Sequence, residues 1–590
     1  MREALEALGL ERTRRRAEVL IDLAVVRAQQ QDANEAAGLA GEALPIAVES
    51  GSVASVHRVQ RFRPELARWD RTPAVMALDE QLDGARRPIA GAGIICVRER
   101  RGGPDDLVVV PVDGSAPPRT VHGGHDFYAF PRPSLDGRRL AWVSWDHPNQ
   151  PWCGTDLWAA NLLGAGMEVQ LGPARHIAGG HDESVTQPEW GPDGTLHFVS
   201  DRCGWWNLYR ERDKRVEPLL VLEAEFADAP WELDYSSYAF LTDGKIACRY
   251  RQHGLDHLGI LDPASGGLEP VLLPFTSIKP YLRATGDRLA FIAAGPTTSP
   301  AVVTLRLTDR SVEVLTDADP DLHPGDVSVP ERLQIPASDG GTVHAAYYPP
   351  TNHAVTGPPG QRPPLIVQPH PGPTSDARIR LELRIQFFTS RGFAVVDVNY
   401  RGSTGYGRAY RAHLDGHWGV LDVQDCVDVA TFLADRGDAD PDRTVITGAS
   451  AGGFTVLRAL ATTDRFAAGA SWFGIADLAT FRTHAPRFQR HHTDHLVGPW
   501  PEAAHLYWDR SPVHNADQIT HPILVIHGLD DEVVPPEQAE AIVAALREHA
   551  VPVTELTFPG EGHGLRRTDN IHRALEAELT FYRAVLNRRS

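Results

Sequence analysis

The chain has 590 residues, too many for one hydrophobic core, so two or three domains are expected. A formal charge of −19, with 42% apolar and 23% charged residues, fits a soluble globular protein and argues against nucleic acid or an anionic membrane as partner. Five scattered cysteines make no metal-ligand spacing, no stretch reaches ~20 apolar residues, and the first residues are charged, so reduced thiols and a cytoplasmic location are expected.

Residues 1–82 read as helical. Ala17, Leu20, Ile21, Ala24 and Ala28 fall on one helical face, and Ala36, Leu39, Ala40, Ala43, Leu44 and Ala47 on another. Gln31–Asn34 is a short link that makes the pair antiparallel. Small residues at these intervals let helices approach closely, and the pattern resembles a tetratricopeptide-type hairpin. It is either a packing segment or a surface for a protein partner or self-association.

Between 88 and 325 the pattern turns to short β runs punctuated by Asp-Gly or Gly-Asp. Asp136-Gly137 precedes Leu140–Ser144, and Asp193-Gly194 precedes Leu196–Ser200; weaker copies start at Asp243-Gly244 and Gly286-Asp287. Asp-Gly tolerates the positive φ of a tight hairpin. The spacing matches a four-stranded propeller blade, and at roughly 45 residues per blade the region holds about five. A β-sandwich is the alternative.

From 326 to 590 apolar runs alternate with helical patterns, as in a largely parallel sheet covered on both faces. Candidate strands are 365–368, 394–398, 444–447, 467–471, 522–526 and 553–558. Directly after the third comes Gly448-Ala449-Ser450-Ala451-Gly452, a G-x-S-x-G elbow that exposes a serine hydroxyl at a strand-to-helix turn. A serine needs a base, a carboxylate to orient that base, and donors for the oxyanion, and in this arrangement the chain order is Ser, acid, His. Asp531 lies past the strand ending at Ile526, in Asp-x-x-Val-Pro, with Asp530 as the rival; His563 lies past the last strand between glycines. The oxyanion donors are expected to be the N–H groups of Ala451 and of Gly372, the latter because its proline neighbours have none.

These residues carry a family resemblance. His370-Pro371-Gly372-Pro373, Asn399-Tyr400-Arg401-Gly402, the Ser450 elbow, Asp531–Pro535 and Gly560-Glu561-Gly562-His563-Gly564 are similar to the catalytic domain of the prolyl oligopeptidase family, in its acylaminoacyl-peptidase and dipeptidyl-aminopeptidase-like branch. The resemblance implies an α/β-hydrolase domain preceded by a β-propeller, here incomplete by length, behind a short helical segment. It also implies a serine peptidase for short peptides, with no cofactor. Two departures stand out. His-Gly-Gly-Pro is His-Pro-Gly-Pro here, and the arginine often found two positions after the aspartate is Val533, which leaves an N-acyl preference unsupported. Tyr400, Trp472 and Phe473 are further candidates for substrate contact, with core packing as the alternative. Arg490–His495 has a metal-like composition without a ligand spacing, so no metal is expected. An esterase of the same fold, or an inactive interaction scaffold, are the alternative functions.

Overall fold

The computed structural model describes residues 93–587 except 101, 165 and 317–319. N-terminal to these it describes 32–49, 62–69, 72–85, Val59 and six positions between Leu20 and Ala28. Ala17 and Gln31 of the expected hairpin lie outside the described residues. These residues fall into two compact units, one comprising residues up to Arg98 with Asp106–Gly123 and Leu162–Gly172, the other the remainder.

In the first unit a helix spans Ala33–Glu49, capped by Asp32, whose Oδ1 accepts the Glu35 N–H at 3.1 Å. Ala36, Ala40, Ala43, Leu44 and Ala47 are buried with Leu20, Ile21, Ala24 and Ala28, so the two small-residue faces read from the sequence meet in one cluster. Val75 and Leu78, on a helix spanning Pro73–Ala85, complete it. The same unit holds a three-stranded antiparallel sheet, Gly93–Arg98, Asp106–Pro111 and Arg119–His122. Arg119 ties that sheet to the Leu162–Gly172 excursion through the Met167 and Val169 carbonyls. The helices therefore share a unit with the first β repeat, whereas the sequence reading divided them at residue 88.

The second unit begins with four further antiparallel sheets, ending at Val314. Each contains a hairpin at one of the turns seen in the sequence, with Gly137, Gly194, Gly244 and Gly286 at positive φ. The preceding aspartate shapes three of these turns: Asp136, Asp193 and Asp243 each accept the N–H two residues on. Meandering sheets of this size are propeller blades.

The C-terminal half of the unit is built on an eight-stranded sheet. Its strands are β1 Glu331–Pro336, β2 Thr342–Tyr348, β3 Leu365–Pro369, β4 Ala394–Asn399, β5 Thr444–Ala449, β6 Gly469–Trp472, β7 Ile523–Gly528 and β8 Val553–Phe558. The order is β1-β2-β4-β3-β5-β6-β7-β8, antiparallel at β1, β2 and β4 and parallel beyond, which is an α/β-hydrolase sheet. β1 and β2 were not read from the sequence. β1 is an edge strand that alternates exposed and buried residues, unlike the continuous apolar runs of the others. Helices Leu421–Arg436, Ala451–Thr462 and Glu537–Glu548 cover one face, and Leu383–Thr389 with Thr568–Leu586 the other.

Buried charges join the blades to this domain. Arg249, fully buried, donates to Asp228 at 2.8 Å and Asp256 at 2.7 Å. Arg251 donates to Asp376 at 2.6 Å, and Arg378 to Asp228 at 2.7 Å. Burial opposes the charge of Asp228, but Arg249, Arg378 and Arg251 hold its carboxyl well below the usual range. Asp376 and Arg378 lie on the loop after β3, so the blades fix that loop.

On β4, Asp397 accepts from Gln368 Nε2 at 2.5 Å, and burial, followed by the Glu382 charge, pushes its carboxyl up to about 7. An unfolded aspartate titrates near ~4, so between about pH 4 and 7 the folded chain retains a proton that the unfolded chain has lost. Stability therefore falls as pH rises through that window. Asp397→Asn keeps the acceptor oxygen and is expected to be the more stable form at pH 8, by on the order of 2–4 kcal/mol. The advantage shrinks toward pH 5, as urea melts at both values would show.

Candidate active site

Ser450 stands between β5 and the helix Ala451–Thr462, with φ 55° and ψ −119°. Such a backbone costs on the order of 1–3 kcal/mol and persists only where its surroundings over-determine it. Here the Ser450 N–H donates to Trp472 O at 2.9 Å, at the end of β6. A Cβ on Gly448 would lie 2.4 Å from Gly452 O, and one on Gly452 would lie 2.4 Å from Pro369 O. The glycines are there because backbone occupies the space a side chain would need.

The C-terminal ends of β7 and β8 deliver the other two groups to the same edge. His563 Nε2 is 3.1 Å from Ser450 Oγ, and His563 Nδ1 is 2.8 Å from Asp531 Oδ2. Asp531 Oδ1 accepts the N–H groups of Val533 and Val534, both at 2.9 Å. Burial pushes this carboxyl up, but the bonds from His563 and from the Val534 and Val533 N–H groups outweigh it and hold the group below the usual range. An ionised Asp531 can only accept, so His563 Nδ1 carries the proton and Nε2 presents a lone pair to Ser450. Asp530 is exposed and engages Glu561 O through its N–H, so the structure brings Asp531 and not Asp530 to the imidazole.

His527, at the end of β7, was not singled out in the sequence. Its Nε2 is 2.9 Å from Val534 O and 3.7 Å from Asp531 Oδ2. Burial lowers its pKa, which keeps it neutral beside the carboxylate and leaves Asp531 to His563.

A cavity of about 550 Å3 opens over Ser450. Ala451 and Gly372 both line it, and among the described residues neither N–H has a protein acceptor. Phe473 lines it too and meets His563 edge-on, with ring centroids 4.8 Å apart.

Tyr400 and Trp472 are not brought to the cavity. Tyr400 is fully buried behind the β3 loop, stacked on His370 at 4.3 Å, with its hydroxyl 3.3 Å from Gly372 O. It supports the loop instead of touching what binds in front of it. Trp472 ends β6, and Phe473 follows it outside the strand with φ 39°; both touch the same core cluster, and of the two Phe473 lines the cavity. Trp472 packs in the core on the far face, under the Arg384 guanidinium at 4.9 Å. The His-rich segment is likewise dispersed: Asp494 is ion-paired to Arg482, His495 faces the Pro148 carbonyl, and His492 is buried in the cavity wall.

The rest of that wall went unrecognised in the sequence. Trp418, Ile475, Phe481, Leu496 and Val533 make an apolar side. Trp231 comes from the blade region and is fixed by donating to Thr374 O at 2.7 Å. His492 packs against Trp231 and Trp152, and burial pushes its pKa down to about 3, so it is a neutral wall element. The wall is built from segments distant in the chain, which leaves no spacing pattern to read in the sequence.

Comparison with known proteins places these residues in context. A family model described as the prolyl oligopeptidase family matches residues 379–589. Dipeptidyl aminopeptidase BIII of Pseudoxanthomonas mexicana is 33% identical over 213 residues, 35% of this chain and 31% of that protein. The acylamino-acid-releasing enzyme of Arabidopsis thaliana is 31% identical over 221 residues, 35% of this chain and 28% of the relative. The chain thus aligns with less than a third of the length of these relatives. Among solved structures, a puromycin hydrolase is 39% identical with a TM-score of 0.81, over 85% of this chain and 77% of its own. A puromycin-hydrolyzing peptidase of Mycobacterium tuberculosis is 38% identical with the same TM-score of 0.81, over 84% of this chain and 78% of its own.

Proposed function

The chain belongs to the prolyl oligopeptidase family, and from that premise we propose that it is a serine peptidase acting on short peptides and aminoacyl amides. The observation that carries the reading is the Ser450–His563–Asp531 hydrogen-bond chain. In it, Ser450 Oγ attacks the carbonyl while His563 Nε2 takes its proton; His563 then returns that proton to the leaving amine, and water hydrolyses the acyl-enzyme by the same route. Asp531 fixes the tautomer and stabilises the imidazolium. The Gly372 and Ala451 N–H groups receive the oxyanion, and the buried ion pairs behind Asp376 and Arg378 keep the Gly372 loop from relaxing.

The wall of Phe473, Trp418, Ile475, Phe481, Leu496 and Val533 suits an apolar or aromatic acyl side chain. Five unpaired cysteines support a reducing compartment, hence a cytoplasmic enzyme. No helix among the described residues is long and apolar enough to cross a membrane. The test is a panel of aminoacyl and dipeptidyl chromogenic amides together with puromycin. Aromatic and large aliphatic acyl groups are expected to exceed acidic ones in kcat/KM by at least about tenfold. A preference for acidic groups would contradict the assigned wall, and ester cleavage without amide cleavage would contradict the peptidase reading.

A further inference from the structure

Away from the catalytic edge, three metal-ligating side chains converge on the segment that joins the last blade to β1. His323 and Asp326 bracket a single 3-10 turn, Pro324–Asp326, so residues three apart project to the same side. His353 arrives from the loop after β2. One ligand atom from each of His323, Asp326 and His353 lies within 4.8 Å of the other two. Ligands bound to one transition ion at about 2.0–2.2 Å stand ~3–4 Å apart, so only small movements would close the site. Asp326 Oδ1 accepts both the His353 N–H, at 2.8 Å, and Nδ1, at 2.9 Å. The imidazoles of His323 and His353 stack with centroids 4.0 Å apart.

We propose that His323, Asp326 and His353 form a binding site for one divalent transition ion, of the zinc class, that pins the linker to the catalytic domain. Two imidazoles and one carboxylate favour zinc, nickel or cobalt over magnesium or calcium, which take all-oxygen sets. The ion replaces the proton that His353 Nδ1 shares with Asp326, and that proton moves to the other ring nitrogen, so nothing is oxidised or reduced. The Gly325 N–H, now 3.1 Å from His323 Nδ1, gives way if that nitrogen ligates. One position is left to water for a tetrahedral zinc ion, and up to three for a six-coordinate nickel or cobalt ion. The anchoring is local: Ser328, two residues on, already donates from its N–H to Gln386 and from its hydroxyl to Pro349 O.

The experiment is calorimetric titration of the EDTA-treated full chain with Zn2+, together with thermal melts with and without the ion. Wild type is expected to take up one equivalent that His323→Ala and His353→Ala lose or bind at least about tenfold more weakly, and Zn2+ is expected to raise Tm in wild type only. Asp326→Asn keeps an oxygen for the two His353 bonds yet removes the anionic ligand, so its melt in EDTA separates loss of the ion from loss of the fold. Equal stoichiometry and affinity in wild type and all three variants, or no saturable uptake by wild type, overturns the site.

Discussion

Ser450→Ala is expected to lower kcat/KM for an aminoacyl amide by about 10^6-fold with little change in KM, the size of loss seen when a triad serine is removed elsewhere. The loss falls on kcat because substrate is held by the cavity wall and the oxyanion donors, which alanine leaves in place. The fold should survive. The strained elbow is held through the Ser450 N–H on Trp472 O and by the glycine contacts, not through the hydroxyl, which among the described residues bonds only to His563. A melt matching wild type, beside an inactive enzyme, separates lost chemistry from lost structure. Residual activity within about tenfold of wild type would remove Ser450 from the mechanism.

Asp531→Asn is expected to cost about 10^4-fold in kcat. The amide oxygen can still accept from Val533 and Val534, so the turn after β7 is retained. The NH2 group, however, now faces His563 Nδ1 and can only donate. The ring proton moves to Nε2, which then points a hydrogen at Ser450 Oγ instead of a lone pair. Asp530→Asn is the matched control and is expected to stay within about twofold of wild type, because that side chain is exposed. A large loss in Asp530→Asn with little in Asp531→Asn would reverse the assignment.

The parts of the molecule legible in the sequence were those fixed by local rules. The elbow needs small residues at set positions, and the acid and base must follow the ends of later strands, so Ser450, Asp531 and His563 stood out through order and placement. The blade turns were visible because Asp-Gly is demanded by backbone sign at Gly137, Gly194 and Gly244. The first sheet, Gly93–His122, carries the same signal at Asp113-Gly114, with Gly114 at positive φ and Asp113 accepting the Ser115 N–H at 3.0 Å, but that turn was not singled out and the sheet was covered only by the length estimate. Sequence could narrow the aromatic pair after β6 to Trp472 and Phe473 but could not say which lines the cavity, since the answer depends on the positive-φ turn that Phe473 makes as the chain leaves the strand. Tyr400 stood in a family-like motif, yet its work is structural, behind the loop it was expected to share. Trp231 gave no signal, and His492 stood out only within the His-rich segment and not as a wall residue, because a wall made from distant segments has no sequence period. His323, Asp326 and His353 were invisible for the same reason.

The central claim, that Ser450 is the nucleophile activated by His563, is tested most directly by intact-mass and peptide mapping after treatment with a fluorophosphonate. One adduct per chain is expected, on the peptide containing Ser450, absent in Ser450→Ala and strongly slowed in His563→Ala. An adduct on another residue, or full amide hydrolysis by a chain that resists labelling, would contradict it.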